Sequence, residues 1–177
     1  MLPNDAKDAP RRRVESLLVL LERLEGLHVE LRAVLDDKLE SMRKSDMQAL
    51  RDCVERESVL TARINEQEGL RKQLMERIGR GYGIAPKTAR TLPARRLAER
   101  LGEPHRGRIN AVTERLKAAV VEVSKINALV GRVSSQVLTY LGEMFTEVRG
   151  TEASPGIYSK SGRTVAARPV ELFEAVG

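Results

Sequence analysis

Few side chains in this sequence are of a type and spacing that could carry out catalysis or hold a metal ion. The two histidines, His28 and His105, are far apart, and neither lies in a His-Glu-x-x-His motif. The one cysteine, Cys53, can form neither an internal disulfide nor a zinc site by itself. We predict no metal and no cofactor, with His28 on the flank of a first helix and His105 in the first turn of a third.

Two short motifs resemble catalytic elements only superficially. Gly79-Arg80-Gly81-Tyr82-Gly83 is rich in glycine, but a phosphate loop follows a strand and continues with Gly-Lys-Ser/Thr. Here the glycines follow a helical pattern and favour the end of a helix. Asp36 and Asp37 have basic neighbours, which favours a solvated helix face over a catalytic pair. We therefore predict a binding protein and not an enzyme.

The composition favours long amphipathic helices. Of the 177 residues, 32% are charged and only 3% are aromatic. The apolar run Leu17–Leu21 is too short for a signal peptide or a membrane span. We expect a cytoplasmic protein that does not insert into a membrane.

The first two elements are predicted to form a helical hairpin. Apolar residues recur every 3.6 positions in a helix over 11–44, which begins after Asp8 as N-cap. Ser45 and Gln48 have the spacing of a capping box, which favours a break and a second helix over 46–79; one helix over 11–79 is the alternative. The first stripe is Leu17, Leu21, Leu24, Leu27, Leu31, Leu35, Leu39 and Met42. The second, weaker stripe is Leu50, Val54, Leu60, Ile64, Leu70, Leu74 and Ile78.

The third predicted helix, 104–149, has the most regular pattern. Its apolar residues alternate by three and four positions, which is the heptad spacing of left-handed coiled-coil packing. We name this row the seam: Ile109, Val112, Leu116, Ala119, Val123, Ile126, Val130, Val133, Val137, Tyr140 and Met144. The predicted fold class is all-α. It is an elongated antiparallel three-helix bundle or coiled coil over 1–150, with a short connector helix and a flexible cargo-binding tail at 151–177.

The connector, 80–103, is basic. Residues 80–108 hold eight Lys or Arg against two acids, so this stretch carries the whole net charge of +6. We predict a loop to about Thr91, then a short helix over 93–101 with Thr91 as its cap and Gly102 as its stop. Because Tyr82 is its one aromatic residue and no nucleic-acid-binding motif is present, we predict no nucleic-acid partner.

The predicted helix lengths differ in a way that indicates a binding surface. At 1.5 Å per residue, the third helix is about 18 Å longer than either of the others. We expect it to extend past the hairpin at one of its ends. Its last turns are its most apolar, so if that end extends it exposes apolar side chains, a typical mark of an interaction site. The connector folding back over them, or a dimer, is the alternative. The expected partner-binding residues there are Val137, Leu138, Leu141, Met144, Phe145 and Val148, joined by Leu172 and Phe173 of the tail.

The order of these features resembles the flagellar export chaperones of the FlgN type, over about residues 14–165. Val123-Ser124-Lys125-Ile126-Asn127-Ala128-Leu129-Val130 is similar to that family's asparagine-bearing third helix. Gly156-Ile157-Tyr158-Ser159-Lys160-Ser161-Gly162-Arg163 resembles its Tyr-x-x-x-Gly motif. The sequence departs from the family pattern at Val130-Gly131, where a second asparagine is frequent, and in its long connector and its extension after Arg163.

The resemblance implies a cytoplasmic chaperone for the hook-associated proteins of the hook–filament junction. Such a chaperone keeps its cargo soluble and unpolymerised and delivers it to the cytoplasmic domain of the export gate. The resemblance also implies that Ile157 and Tyr158 bind a partner, with Tyr158 at the gate, and that the third helix and the tail hold cargo. Two alternatives stay open. One is a structural coiled-coil oligomerisation module, such as a homodimer; the other is a nucleic-acid or membrane-surface binder that uses the basic connector.

Overall fold

The computed structural model describes the backbone of residues 5–152 and the side chains of residues 12–147. Within this range the chain is helical and contains no strand, which confirms the all-α prediction. The five helices described are α1 (Asp5–Arg43), α2 (Met47–Gly81), α3 (Pro86–Thr91), α4 (Ala94–Leu101) and α5 (His105–Glu152). The chain divides into two compact units, Met1–Val133 and Ser134–Gly177.

A tight turn between α1 and α2 confirms the predicted break, but its cap is not the predicted one. Asp46 is the N-cap of α2, and its carboxylate accepts a hydrogen bond of 3.0 Å from the backbone N–H of Ala49. Ser45 has a φ of 55° and cannot cap, because an N-cap residue needs an extended backbone. The side chain of Gln48 donates to Asp52 instead of closing a capping box. The helix start is also corrected: α1 already begins at Asp5, so Asp8 lies inside it.

Helices α1 and α2 form an antiparallel hairpin with two core clusters. One cluster joins Leu17 and Leu21 to Met75 and Ile78. The other joins Leu31 and Leu35 to Cys53 and Leu60. All eight residues of the predicted α1 stripe are buried or half-buried. The stripe is therefore confirmed as the face that α1 turns to the core.

The predicted stripe of α2 is partly wrong. Val54 and Leu70 are exposed, whereas Cys53 and Gln67 are buried. Residues that face the core recur at alternating steps of three and four: Leu50, Cys53, Glu57, Leu60, Ile64, Gln67, Arg71, Leu74 and Ile78. Three of these positions, Glu57, Gln67 and Arg71, hold polar side chains. The charged members are compensated locally. Lys38 Nζ lies 2.6 Å from Glu57 Oε2, and Arg71 Nη2 lies 3.0 Å from Glu68 Oε2.

The connector contains two short helices where one was predicted. The stretch before Thr91 is not a loop, because α3 occupies Pro86–Thr91; Thr91 ends α3 and does not cap α4. Proline is favourable in a first helical turn, and Ala89 packs so closely on α2 that a Cβ added to Gly79 would lie 2.7 Å from the Ala89 Cβ. Gly79 is thus needed for close packing, while Gly83, with a φ of 69°, makes the turn after α2.

Helix α4 closes the core at the same end of the hairpin. Its buried face consists of Ala94, Leu97 and Ala98, which belong to the cluster of Leu17, Met75 and Ile109. Gly102 ends the helix with a φ of 71°, as predicted. None of the helices, over the residues described, is long and apolar enough to cross a membrane.

Candidate partner-binding surface

Helix α5 carries the seam, and the burial of the seam changes along the helix. In the first segment, which we define as residues 105–133, every seam residue from Ile109 to Val133 is buried or half-buried. Ile109 and Val112 pack in the cluster around Leu17, and Val130 packs in the cluster around Leu35. The predicted heptad spacing therefore marks the face that α5 turns to the core of the first unit.

Two ion pairs fix the first segment beside α1. The guanidinium of Arg108 donates to both carboxylate oxygens of Glu15, at 2.5 and 2.9 Å. Arg115 Nε donates to Glu25, 3.0 Å from Oε1 and 3.1 Å from Oε2. The hydrogen bond that Arg108 donates to the carboxylate of Glu15 raises the pKa of the Arg108 guanidinium. The later base, Arg115, pairs with the later acid, Glu25. Because the two pairs follow the same order along both helices, α5 runs parallel to α1 in this unit.

The second segment, which we define as residues 134–147, continues the same period with every side chain from Ser135 onward exposed. Its large apolar side chains are between 43% and 69% exposed: Val137, Leu138, Tyr140, Leu141, Met144 and Phe145. Surfaces of this kind mark interaction sites in water-soluble proteins. Five of the six predicted partner-binding residues of this helix are described, and all five are exposed.

The apolar side chains of the second segment share one broad face. At 3.6 residues per turn, the arc from Tyr140 to Leu138 covers roughly 160° of the helix circumference. On the opposite, polar face, two threonine hydroxyls form hydrogen bonds within the helix. Thr139 donates to the carbonyl of Ser135 at 3.0 Å, and Thr146 donates to the carbonyl of Gly142 at 2.9 Å. This arc is wide enough to contact more than one partner helix.

The rim of this face is acidic on one side. Residues 134–147 contain Glu143 and Glu147 and no Lys or Arg. At 100° per residue, both glutamates lie on the Tyr140 side of the arc, while Leu138 borders small and hydroxyl side chains. A partner helix with bases along one edge would match this asymmetry.

The remaining predicted partner-binding residues are outside what the structure describes. The side chain of Val148 and the whole of Ile157, Tyr158, Leu172 and Phe173 lie beyond it. Their roles remain predictions. Tyr140 was not among the predicted partner-binding residues, but its exposure of 63% makes it part of the surface.

A groove between α1 and α2 was also missed by the sequence analysis. It has a volume of about 600 Å³, and Val19, Leu20, Leu70 and Leu74 line it together with polar residues. Val19 and Leu70 lie outside the three-four rows of their helices, and this offset from the core-facing row is the signal that could have identified them.

The candidate catalytic residues are held in ordinary structural roles. His28 Nδ1 donates to the carbonyl of Leu24 at 2.7 Å, and His105 begins α5. Asp36 and Asp37 are exposed and lie beside Arg32 and Arg56, at 3.7 and 3.1 Å. Among the described residues, no group of three His, Cys, Asp or Glu side chains could hold a metal ion.

Comparison with known protein families gives a match over most of the chain. The sequence model of the family described as FlgN protein matches residues 13–166, which include α1 from Arg13 onward, α2, the connector and all of α5. Neither the curated proteins nor the solved structures contain a match to this chain.

Proposed function

Since this chain belongs to the FlgN family, we propose that it is a cytoplasmic flagellar export chaperone for hook-associated proteins. It binds these cargo subunits at the second segment of α5, keeps them soluble and unpolymerised, and delivers them to the export gate. The observation that carries the proposal is the exposed apolar face of Val137–Phe145 on a helix whose preceding seam is buried.

The chemistry of this face favours an amphipathic helical cargo segment. A single partner helix presents apolar anchors at positions i, i+3, i+4 and i+7, which fit a stripe such as Leu141, Met144 and Phe145. The arc of roughly 160° leaves room for a second helix or for the tail beside the first. Bases on the cargo helix would pair with the edge formed by Glu143 and Glu147.

The tail is proposed to complete the site. Leu172 and Phe173 would add apolar contacts, and Ile157 and Tyr158 would contact a partner, with Tyr158 at the export gate. A segment that becomes ordered on binding loses conformational entropy, which lowers the affinity for a given contact area. This loss suits a carrier, because the cargo must be released at the gate.

Three truncations on the second segment test the proposal. The variant Leu138→Ala, Leu141→Ala and Phe145→Ala is expected to bind a purified hook-associated subunit at least about 100-fold more weakly. Large apolar side chains at the centre of an interface contribute most of its binding free energy. The measurement is isothermal titration calorimetry, with helical content checked by circular dichroism.

The matched control truncates three exposed apolar residues on the first segment: Val120→Ala, Val121→Ala and Leu129→Ala. This control should retain the wild-type affinity within about three-fold, since rim and remote residues contribute little. Equal losses of affinity in both variants would contradict the assignment of cargo binding to the second segment. Light scattering at several concentrations tests the alternative of a structural oligomerisation module. If the wild type is a dimer and the triple variant on the second segment is a monomer, this face is a homo-oligomer interface.

A further inference from the structure

The connector packs its apolar side chains against one end of the hairpin and carries basic side chains on its exposed positions. α3 packs against α2 through Ala89, and α4 packs into the core through Ala94, Leu97 and Ala98. Both short helices therefore have their apolar sides occupied by the protein itself. The basic side chains of the connector occupy the remaining, exposed positions.

Half of the eight bases in residues 80–108 are neutralised by ion pairs. Arg96 pairs with Glu99 inside the connector, at 3.5 Å, and Arg106 at the start of α5 pairs with Glu103 of the connector, at 2.9 Å. Arg80 pairs with Glu76 on α2, and Arg108 pairs with Glu15 on α1, each at 2.5 Å. These four pairs use every carboxylate that the connector contains.

The other four bases are exposed and have no ion pair within the described part of the chain. They are Lys87 and Arg90 on α3 and Arg95 and Arg100 on α4, and we name them the basic face. Four uncompensated positive charges on two adjoining short helices produce a local positive potential that attracts an anionic partner.

We propose that the basic face binds the surface of a membrane rich in anionic phospholipid. The phosphate groups of such a surface present a dense plane of negative charge, and clusters of four to eight bases bind it. The contact would be peripheral and electrostatic, because the apolar faces of α3 and α4 are already buried against the protein. It is a second interaction surface that works independently of cargo binding.

The geometry disfavours a nucleic acid at this face. Helices of six and eight residues whose inner sides are packed on the core cannot enter a major groove. Single-stranded binding needs aromatic stacking platforms, and Tyr82 is the one aromatic residue of the connector, residues 80–103. A planar lipid surface requires neither feature.

Vesicle sedimentation with the full chain tests the proposal. In 50 mM NaCl, the protein should bind vesicles of phosphatidylcholine with 40% phosphatidylglycerol and should not bind phosphatidylcholine alone. Each base near an anionic bilayer contributes about 1 kcal/mol, or roughly five-fold in affinity. Replacing Lys87, Arg90, Arg95 and Arg100 by Gln should therefore weaken binding by several hundred-fold, and 300 mM NaCl should weaken the wild type likewise.

A matched control separates the basic face from net charge. Replacing Arg51, Arg63, Lys117 and Arg132 by Gln removes four exposed bases that have no ion pair in the described chain. Both variants lower the net charge from +6 to +2, since each loses four positive charges. The control should retain vesicle binding within about five-fold. If the four-residue variant of the basic face does not fold, two double variants replace it: Lys87→Gln with Arg90→Gln, and Arg95→Gln with Arg100→Gln. Each should weaken vesicle binding by roughly 25-fold.

Three outcomes would overturn the proposal. Equal losses in the variant and the control would mean that net charge alone attracts the protein. Equal binding to vesicles with and without phosphatidylglycerol would remove the electrostatic basis. Tighter binding to a 20-nucleotide DNA, single- or double-stranded, with loss in the same variant, would identify a nucleic acid as the partner.

Discussion

The first and second segments of α5 have the same apolar period but opposite exposure. From Ile109 to Val133 the seam faces α1, α2 and the connector, whereas from Val137 to Met144 the same three-four spacing faces solvent. A heptad pattern thus predicts which side of a helix is apolar, but burial also requires a covering element. The exposed second segment is the surface at which we propose that another polypeptide binds.

The largest expected effect separates the two segments by stability. Ile109 is fully buried in the core cluster, so Ile109→Ala should lower the free energy of unfolding by about 2–5 kcal/mol. Leu138 is 69% exposed, and Leu138→Ala should change that free energy by less than about 0.5 kcal/mol. Urea denaturation followed by circular dichroism measures both. A loss at Leu138 as large as that at Ile109 would mean that the second segment is covered within the folded chain.

Three valines at successive seam positions make the comparison sharper. Val130 is buried, Val133 is half-buried and Val137 is 49% exposed. Truncation to Ala removes the same two methyl groups each time, so the cost should fall from about 2 to about 1 to under 0.5 kcal/mol. The same urea titrations apply. Equal losses in the free energy of unfolding for all three variants would mean that burial does not change between the two segments.

The smallest expected effect is electrostatic and concerns Glu122 in the first segment. The hydrogen bond and charge of Lys125, followed by the charge of Arg32 on α1, lower the pKa of the Glu122 carboxyl. A lowered folded-state pKa means that the charged form favours folding above the unfolded-state pKa. This contribution disappears as the pH falls through the folded-state pKa.

Lys125→Met should therefore raise the pKa of Glu122 towards its usual value, and Arg32→Met should raise it less. Carboxyl chemical shifts in an NMR pH titration measure the change. Because Arg32 lies on α1, a response to Arg32→Met reports the neighbouring helix directly. An unchanged pKa in both variants would contradict the assigned causes.

The long helices and their apolar faces could be predicted because their patterns are local and repeated. The α1 stripe from Leu17 to Met42 and the seam of α5 are examples. The polar core positions of α2, such as Gln67, were missed because their burial depends on the register with α1 and α5. The cap was assigned to Ser45 instead of Asp46 because both side chains can cap a helix, and the backbone of the turn decides between them.

The connector and the candidate site were harder to predict than the long helices. Helix α3, Pro86–Thr91, is too short to display a period, and its position depends on the contact between Ala89 and Gly79. On the site, helix lengths predicted that Leu138, Leu141 and Phe145 would be exposed. The sequence could not determine the occupant of this surface, because the occupant belongs to another molecule.

The ion pairs between α1 and α5 link residues that are 93 and 90 positions apart in the chain. A ribosome adds about 5–20 residues per second, so Glu15 is synthesised roughly 5–20 seconds before Arg108. During that interval the nascent hairpin has no third helix, so the parts of its two core clusters that α5 covers are open to other chains. Closure of the bundle by α5 is therefore a late event in biosynthesis, since α5 is made after the hairpin and the connector.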